Sequence, residues 1–182
     1  MTTAITRQKL SVKAQALGAV IALISAVALP QIVHVIGAAS GMGTALGETF
    51  LPMHLPIILV GLLAGPYAAG IAGLLSPLVS FALTGMPTSA MLPFMMIELG
   101  VYGVCAGMLK DAKIPVIVKV LIAQIVGRVV RAGAIAVGFY ALGTVIPPAV
   151  IWTSITAGLF GILLQLVIIP LAVYRLKEAD HE

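Results

Sequence analysis

The chain has 182 residues, of which 61% are hydrophobic and 9% charged, and a formal net charge of +4. A water-soluble domain of this length cannot bury that much apolar surface in its own core, so the composition calls for lipid as a solvent. The basic residues form no tract of nucleic-acid type, and the one cysteine, Cys105, lies inside an apolar run, which excludes an internal disulfide and a thiolate metal cluster.

Apolar residues come in runs of about 18 to 25 between short polar breaks, the length a helix needs to cross about 30 Å of hydrocarbon. Alternating segments of the barrel kind are absent, and backbone polar groups in lipid must be satisfied inside a helix or a closed barrel. The expected fold is therefore an all-α integral membrane protein, a single domain over 1–182 with six transmembrane helices. Arg7, Lys9 and Lys13 precede the first apolar run as they would in a signal peptide, but the run continues for about twenty residues and reads as a first span at 11–36. Gly37 to Pro52 (GAASGMGTALGETFLP) is too polar to span and long enough to fold over the outer mouth, which makes 37–52 a candidate lid. The second span, 53–65, is short and ends at Gly65-Pro66. Proline cannot continue the hydrogen-bond ladder and suits the first turn of a new helix, so the third span, 67–84, returns as a tight hairpin. Spans at 91–109, 114–140 and 149–174 complete the set.

With these spans, Arg7, Lys9, Lys13, Lys110, Lys113, Lys119, Arg175 and Lys177 all fall on one side of the membrane, and the opposite loops contain no Lys or Arg. An excess of positive charge marks the cytoplasmic side, so both termini are expected there. Arg128 and Arg131 are left over.

Three constellations stand out. Ala14, Gly18, Ala22 and Ala26 are spaced by four and share one face of the first span, where a second helix can approach closely; that helix belongs either to this chain or to a partner. Gly61, Gly65, Ala69 and Gly73 form a similar series that reads as internal packing. The second constellation is Glu98, Gln124, Arg128 and Arg131, because ionisable groups at depth are costly. Glu98 lies roughly 16 Å and Arg128 roughly 21 Å from the inner ends of their spans. They form either a structural ion pair or a site facing a water-accessible cavity. The third is the outer rim, where Glu48, Phe50, Met53, His54, Met86 and Trp152 gather near the ends of their segments; an aromatic belt explains Trp152 equally well. No phosphate-binding Gly-rich loop with its lysine, nucleophile elbow, His-Glu-x-x-His pair or paired acidic residues is present. The chain is therefore expected not to be an enzyme and to carry no cofactor and no metal.

The string Met53-His54-Leu55-Pro56 followed by Gly61 and Gly65-Pro66, then Pro77 to Thr84-Gly85-Met86-Pro87, then Glu98-Leu99 with Tyr102-Gly103 and Gly107, resembles the substrate-binding S components of energy-coupling factor (ECF) vitamin transporters. Gly158, Gly161, Gln165-Leu166 and Ile169-Pro170 resemble the last helix of that family. The resemblance implies capture of a vitamin from outside and docking on a transmembrane coupling protein driven by two cytoplasmic ATPases, in the plasma membrane of a prokaryote. It assigns Ala14, Gly18, Ala22 and Ala26 to contact with the coupling protein, although Gly18 stands where the usual pattern has alanine. It also implies that the first outer loop closes over the ligand. Substrate-binding residues expected on this reading are Phe50, Met53, His54, Met86, Glu98, Tyr102, Arg128 and Trp152.

Among S components, the rim looks most like cobalamin-specific members, with folate, pantothenate and pyridoxine as competitors. Few rings stand near the outer face beyond Phe50, Tyr102 and Trp152, whereas Met42, Met53, Met86, Met91, Met95 and Met96 cluster there; a large ligand over a Met-lined bowl fits that pattern, and so does plain core packing. The competing class is a stand-alone proton-coupled secondary transporter with Glu98 as its proton site, which would show inverted repeats that this sequence lacks.

Overall fold

The structure, a computed structural model, describes residues 11–179 and, for residues 177–179, the backbone alone. Arg7 and Lys9 lie outside the described residues, as does the side chain of Lys177. Among the described residues the regular structure is all helical: α1 (Val12–Ala39), α2 (Ala45–Phe50), α3 (His54–Ala64), α4 (Pro66–Thr84), α5 (Leu92–Met108), α6 (Val116–Leu142), α7 (Ala149–Ala157) and α8 (Leu159–Ala179).

Five segments are long and apolar enough to cross a membrane: Val12–Ala39, Ala45–Ala64, Pro66–Thr84, Val116–Leu142 and Leu159–Leu176. The sixth apolar helix, α5, has 17 residues and is shorter. The outward faces are apolar: Ile24 on α1, Val129 on α6 and Leu163 on α8 are all exposed, as expected where the surrounding solvent is hydrocarbon. The core joins Ala22 and Ala26 of α1, Ile57 and Ile58 of α3, Leu99 and Tyr102 of α5, Val120 and Ala123 of α6, and Ile169 of α8.

Without a hydrophobic drive between helices in lipid, close backbone approach supplies the cohesion. The α4–α5 pair shows how. A Cβ on Gly73 would overlap the backbone of Leu99, and one on Gly103 would overlap that of Ala69, so each helix presents glycine to the other's main chain. The α3–α4 hairpin turns on Gly65, whose φ of 102° favours glycine, with Pro66 opening α4.

Two local readings differ from the expectation. The expected last span, 149–174, is two helices that meet at Gly158, a poor helix former. The lid is not a bare loop, since it contains α2, whose first turn carries Glu48 where a carboxylate favours the helix dipole. The small-residue stripe is turned inward: Ala22 and Ala26 are fully buried, and Gly18 faces Val60 and Ala64 of α3. Ala22 and Ala26 thus pack within this chain, while Ala14 and Gly18 keep partial exposure. Lys119 is buried and donates from Nζ to the carbonyl of Lys110 at 2.8 Å, tying the α5–α6 loop to α6.

Candidate functional site

At the end of the bundle where α1, α4 and α6 finish and α3, α5 and α7 begin, a cavity of about 460 Å³ opens between the helices. Pro30 and His34 of α1 form one wall, and Thr44, Gly47 and Glu48 of the lid form another. Ser80 of α4, the Met86-Pro87-Thr88 turn, and Met91 and Met95 on α5 face them. Val150, Thr153 and Ser154 of α7 complete the rim. Four methionines, Met53, Met86, Met91 and Met95, line this space, and no Phe, Tyr or Trp does so among the described residues. Methionine adapts to irregular apolar shapes, whereas flat-ring stacking would need aromatic faces.

Glu98 and Arg131 stand at the cavity wall as its charged pair. Glu98 is buried, and its Oε2 lies 3.0 Å from Nη1 of Arg131. Its Oε1 accepts a 2.9 Å hydrogen bond from the hydroxyl of Tyr102, one turn along α5. Nε2 of His54, the first residue of α3, is 3.9 Å from the same oxygen, and the His54 and Tyr102 rings lie 5.1 Å apart, centroid to centroid. His54 reaches this position because Leu51 takes a left-handed conformation (φ 49°) and accepts at its carbonyl from the His54 N–H, turning the chain from α2 into α3. Nδ1 of both His34 and His54 is buried without a hydrogen-bond partner.

The lid is docked from two sides. On α1, the His34 ring fills the space that a side chain at Gly47 would need. On α8, a Cβ at Gly161 would come within 2.7 Å of the Phe50 carbonyl group, and Gly158 meets Leu51. The buried Gln165 donates from Nε2 to the Leu51 carbonyl at 3.2 Å and accepts at Oε1 from Nε2 of Gln124 at 3.0 Å. A polar chain thus runs from α6 through α8 to the end of the lid, and buried amides of this kind must be paired to be tolerated.

Of the residues singled out in the sequence, Met53, His54, Met86 and Glu98 line the cavity. Tyr102 lies behind Glu98, fully buried in the core. Arg128 lines a small adjoining recess with Arg131, Ile135, Ile151 and Ser154. Phe50 packs edge-on against Phe160 of α8 at 5.3 Å and does not line the cavity. Trp152 is 72% exposed on the outer side of α7, away from the cavity, as an aromatic-belt residue would be. The ion pair of Glu98 is with Arg131, not Arg128. The helices run antiparallel and side chains lean toward the N-terminus of their own helix, so Glu98 leans toward the cavity end and the α6 arginines lean away from it. The matching arginine therefore sits one turn nearer the cavity than backbone depth suggests. His34, Ser80 and Thr153 were not singled out; each lies near the cavity end of its helix, but an isolated polar residue there carries no distinguishing pattern.

The chain matches the family described as ECF transporter, substrate-specific component, over residues 12–173. No curated protein and no solved structure matches it. The apolar helices and this match together make the chain a multi-pass membrane protein. Because the match spans nearly the whole chain, it belongs to the ECF transporter substrate-specific component family and is the substrate-binding subunit of such a transporter.

Proposed function

We propose that this subunit captures a vitamin in the 460 Å³ cavity and delivers it inward with an ATP-driven coupling module. The observation that carries the reading is a cavity at one end of the bundle, with a buried ion pair on its wall and a docked lid beside it. All six apolar segments are read as spans. The basic residues at the opposite end, Lys13, Lys110, Lys113 and Arg175, favour that end as cytoplasmic in the plasma membrane of a prokaryote, so the cavity opens outward and both termini lie inside. The partners are a transmembrane coupling protein and two cytoplasmic ATPases; hydrolysis belongs to the ATPases, and this chain performs no chemistry on its solute. The Ala14 and Gly18 end of α1 is the part of the small stripe left for the coupling protein.

The rim resembles that of cobalamin-specific members, but the volume favours a smaller ligand. At about 460 Å³ the cavity falls in the range that encloses drug-sized molecules, about 300–1,000 Å³. A vitamin of the folate, pantothenate or pyridoxine class fits inside it, whereas cobalamin would enter by one edge with its corrin ring outside the mouth. The proton-coupled reading is disfavoured because Glu98 is occupied by Arg131 and Tyr102.

The test is a calorimetric titration of the detergent-purified chain with cobalamin, folate, pantothenate, pyridoxine, riboflavin, thiamine and biotin. Saturable binding of one compact vitamin at one site per chain is expected. Silence across the panel in a folded sample overturns vitamin capture, and binding of cobalamin alone overturns the size argument.

A further inference from the structure

The ion pair of Glu98 and Arg131 accounts for one of the two arginines on the inner face of α6, and Arg128 remains. It lies about 21 Å from the Leu142 end of α6 and about 18 Å from the Val116 end, too far from either interface for its side chain to snorkel. Its Nε is buried and has no hydrogen-bond partner, and the same is true of Nε of Arg131. Glu98 is engaged by Arg131 and Tyr102. Glu48, the other carboxylate on the cavity wall, is exposed on the lid, where water solvates it. A cation at the middle of a membrane helix and outside any ion pair is costly, and such groups line substrate pathways or meet a ligand.

The two arginines share a recess between α6 and α7 that adjoins the main cavity, with Arg131 and Ser154 lining both. The recess holds about 10 Å³, room for about one water-sized group such as a single anionic oxygen. Each of the two arginines that line this recess carries a buried Nε–H without an acceptor, and a guanidinium offers planar, directional hydrogen bonds that suit carboxylate and phosphate oxygens. We propose that the Arg128–Arg131 wall is a subsite for an anionic group, carboxylate or phosphate, carried by the captured solute, whose apolar part lies against the methionines of the main cavity. The inference rests on the capture reading and narrows it to anionic solutes.

The test uses matched probes that differ in the anionic group: pantothenate against pantothenol, and pyridoxine 5′-phosphate against pyridoxine. Thermal unfolding of the purified chain is followed with each. The anionic member of one pair is expected to raise the midpoint while its neutral counterpart does not, and the responding pair tells carboxylate from phosphate. Arg128→Gln is expected to weaken that binding at least tenfold and Arg128→Lys to restore part of it. The ligand-free midpoint of Arg128→Gln is expected to fall less than that of Arg131→Gln, since the ion pair of Glu98 is with Arg131. Equal binding of a neutral vitamin, or unchanged binding by Arg128→Gln, overturns the subsite and leaves vitamin capture standing. A ligand-free midpoint that falls as far as in Arg131→Gln assigns Arg128 a structural role and also overturns it. No response to any probe or vitamin removes the capture reading and this inference together.

Discussion

Glu98 receives a hydrogen bond from Tyr102 on its own helix, an ion pair from Arg131 on α6, and the approach of His54 from α3. Three elements are thus held together around one buried carboxylate. Removing one partner of a buried pair leaves the other charge desolvated and alone, a loss of about 3–5 kcal/mol in measured systems. Arg131→Gln is therefore expected to destabilise the ligand-free chain by about 3 kcal/mol, read as a lower midpoint of thermal unfolding in detergent. An unchanged midpoint would show that the pair contributes nothing. Glu98→Gln is expected to cost a similar amount, about 3 kcal/mol, because it strands Arg131. The sequence identifies the members of this polar set by their depth in apolar runs, yet it does not identify the partners. Backbone depth places Glu98 nearer to Arg128 than to Arg131, and only the opposite lean of side chains on antiparallel helices selects Arg131.

The lid depends on contacts at the level of whole elements. Its end is fixed by Gln165 at the Leu51 carbonyl, and its back lies on Gly161 of α8 and on Gly158 at the α7–α8 junction. A bulky side chain at Gly161 would collide with the main chain of Thr49 and Phe50. Gly161→Leu is expected to lift the lid, weaken vitamin binding by about tenfold or more, and speed hydrogen exchange at the amides of 44–51, while the rest of the bundle stays protected. Binding and exchange like those of the parent chain would remove the lid from the account. A glycine placed between main chains behaves differently: Gly103→Leu is expected to prevent α4 and α5 from packing and to abolish a monodisperse folded product in size-exclusion chromatography.

At this scale, the apolar helices are legible because most of them are long apolar runs and because Gly65-Pro66 punctuates the hairpin. Helix α2 is not legible, because six residues in a small-residue loop carry no periodic signal. The division of α7 from α8 is also invisible, since the apolar run continues through Gly158 and only the contact with Leu51 marks the break. The pairing of Gln124 with Gln165 lies beyond sequence reasoning for a plainer reason: the two are on different helices, and nothing local relates them.

Over the whole molecule, apolar residues face outward as well as inward, and the polar groups that matter concentrate at one end. The stripe of small residues on α1 belongs to both sides of this division, with its deeper half buried and its Ala14 and Gly18 half partly exposed. Spacing by four announces close packing but does not name the neighbour, and burial assigns Ala22 and Ala26 to the core of this chain. Ala22→Leu is expected to overpack that core and cost the isolated chain about 1–3 kcal/mol. Ala14→Leu, at a half-buried position, is expected to leave the isolated chain stable and reduce copurification with the coupling protein. The opposite pattern would return the deeper half of the stripe to the partner.

On the proposed function, the solute is captured in the cavity between α1, α4, α5 and α7. The most direct measurement compares vitamin-induced thermal stabilisation of the parent chain with that of Met95→Trp, which fills the cavity from a partly buried wall position. A ligand that binds only the folded state raises the unfolding midpoint by mass action. A concentration-dependent rise is expected for one vitamin with the parent chain and none with Met95→Trp, although the variant elutes as the same folded species. An equal rise in both would place the ligand elsewhere and contradict the account.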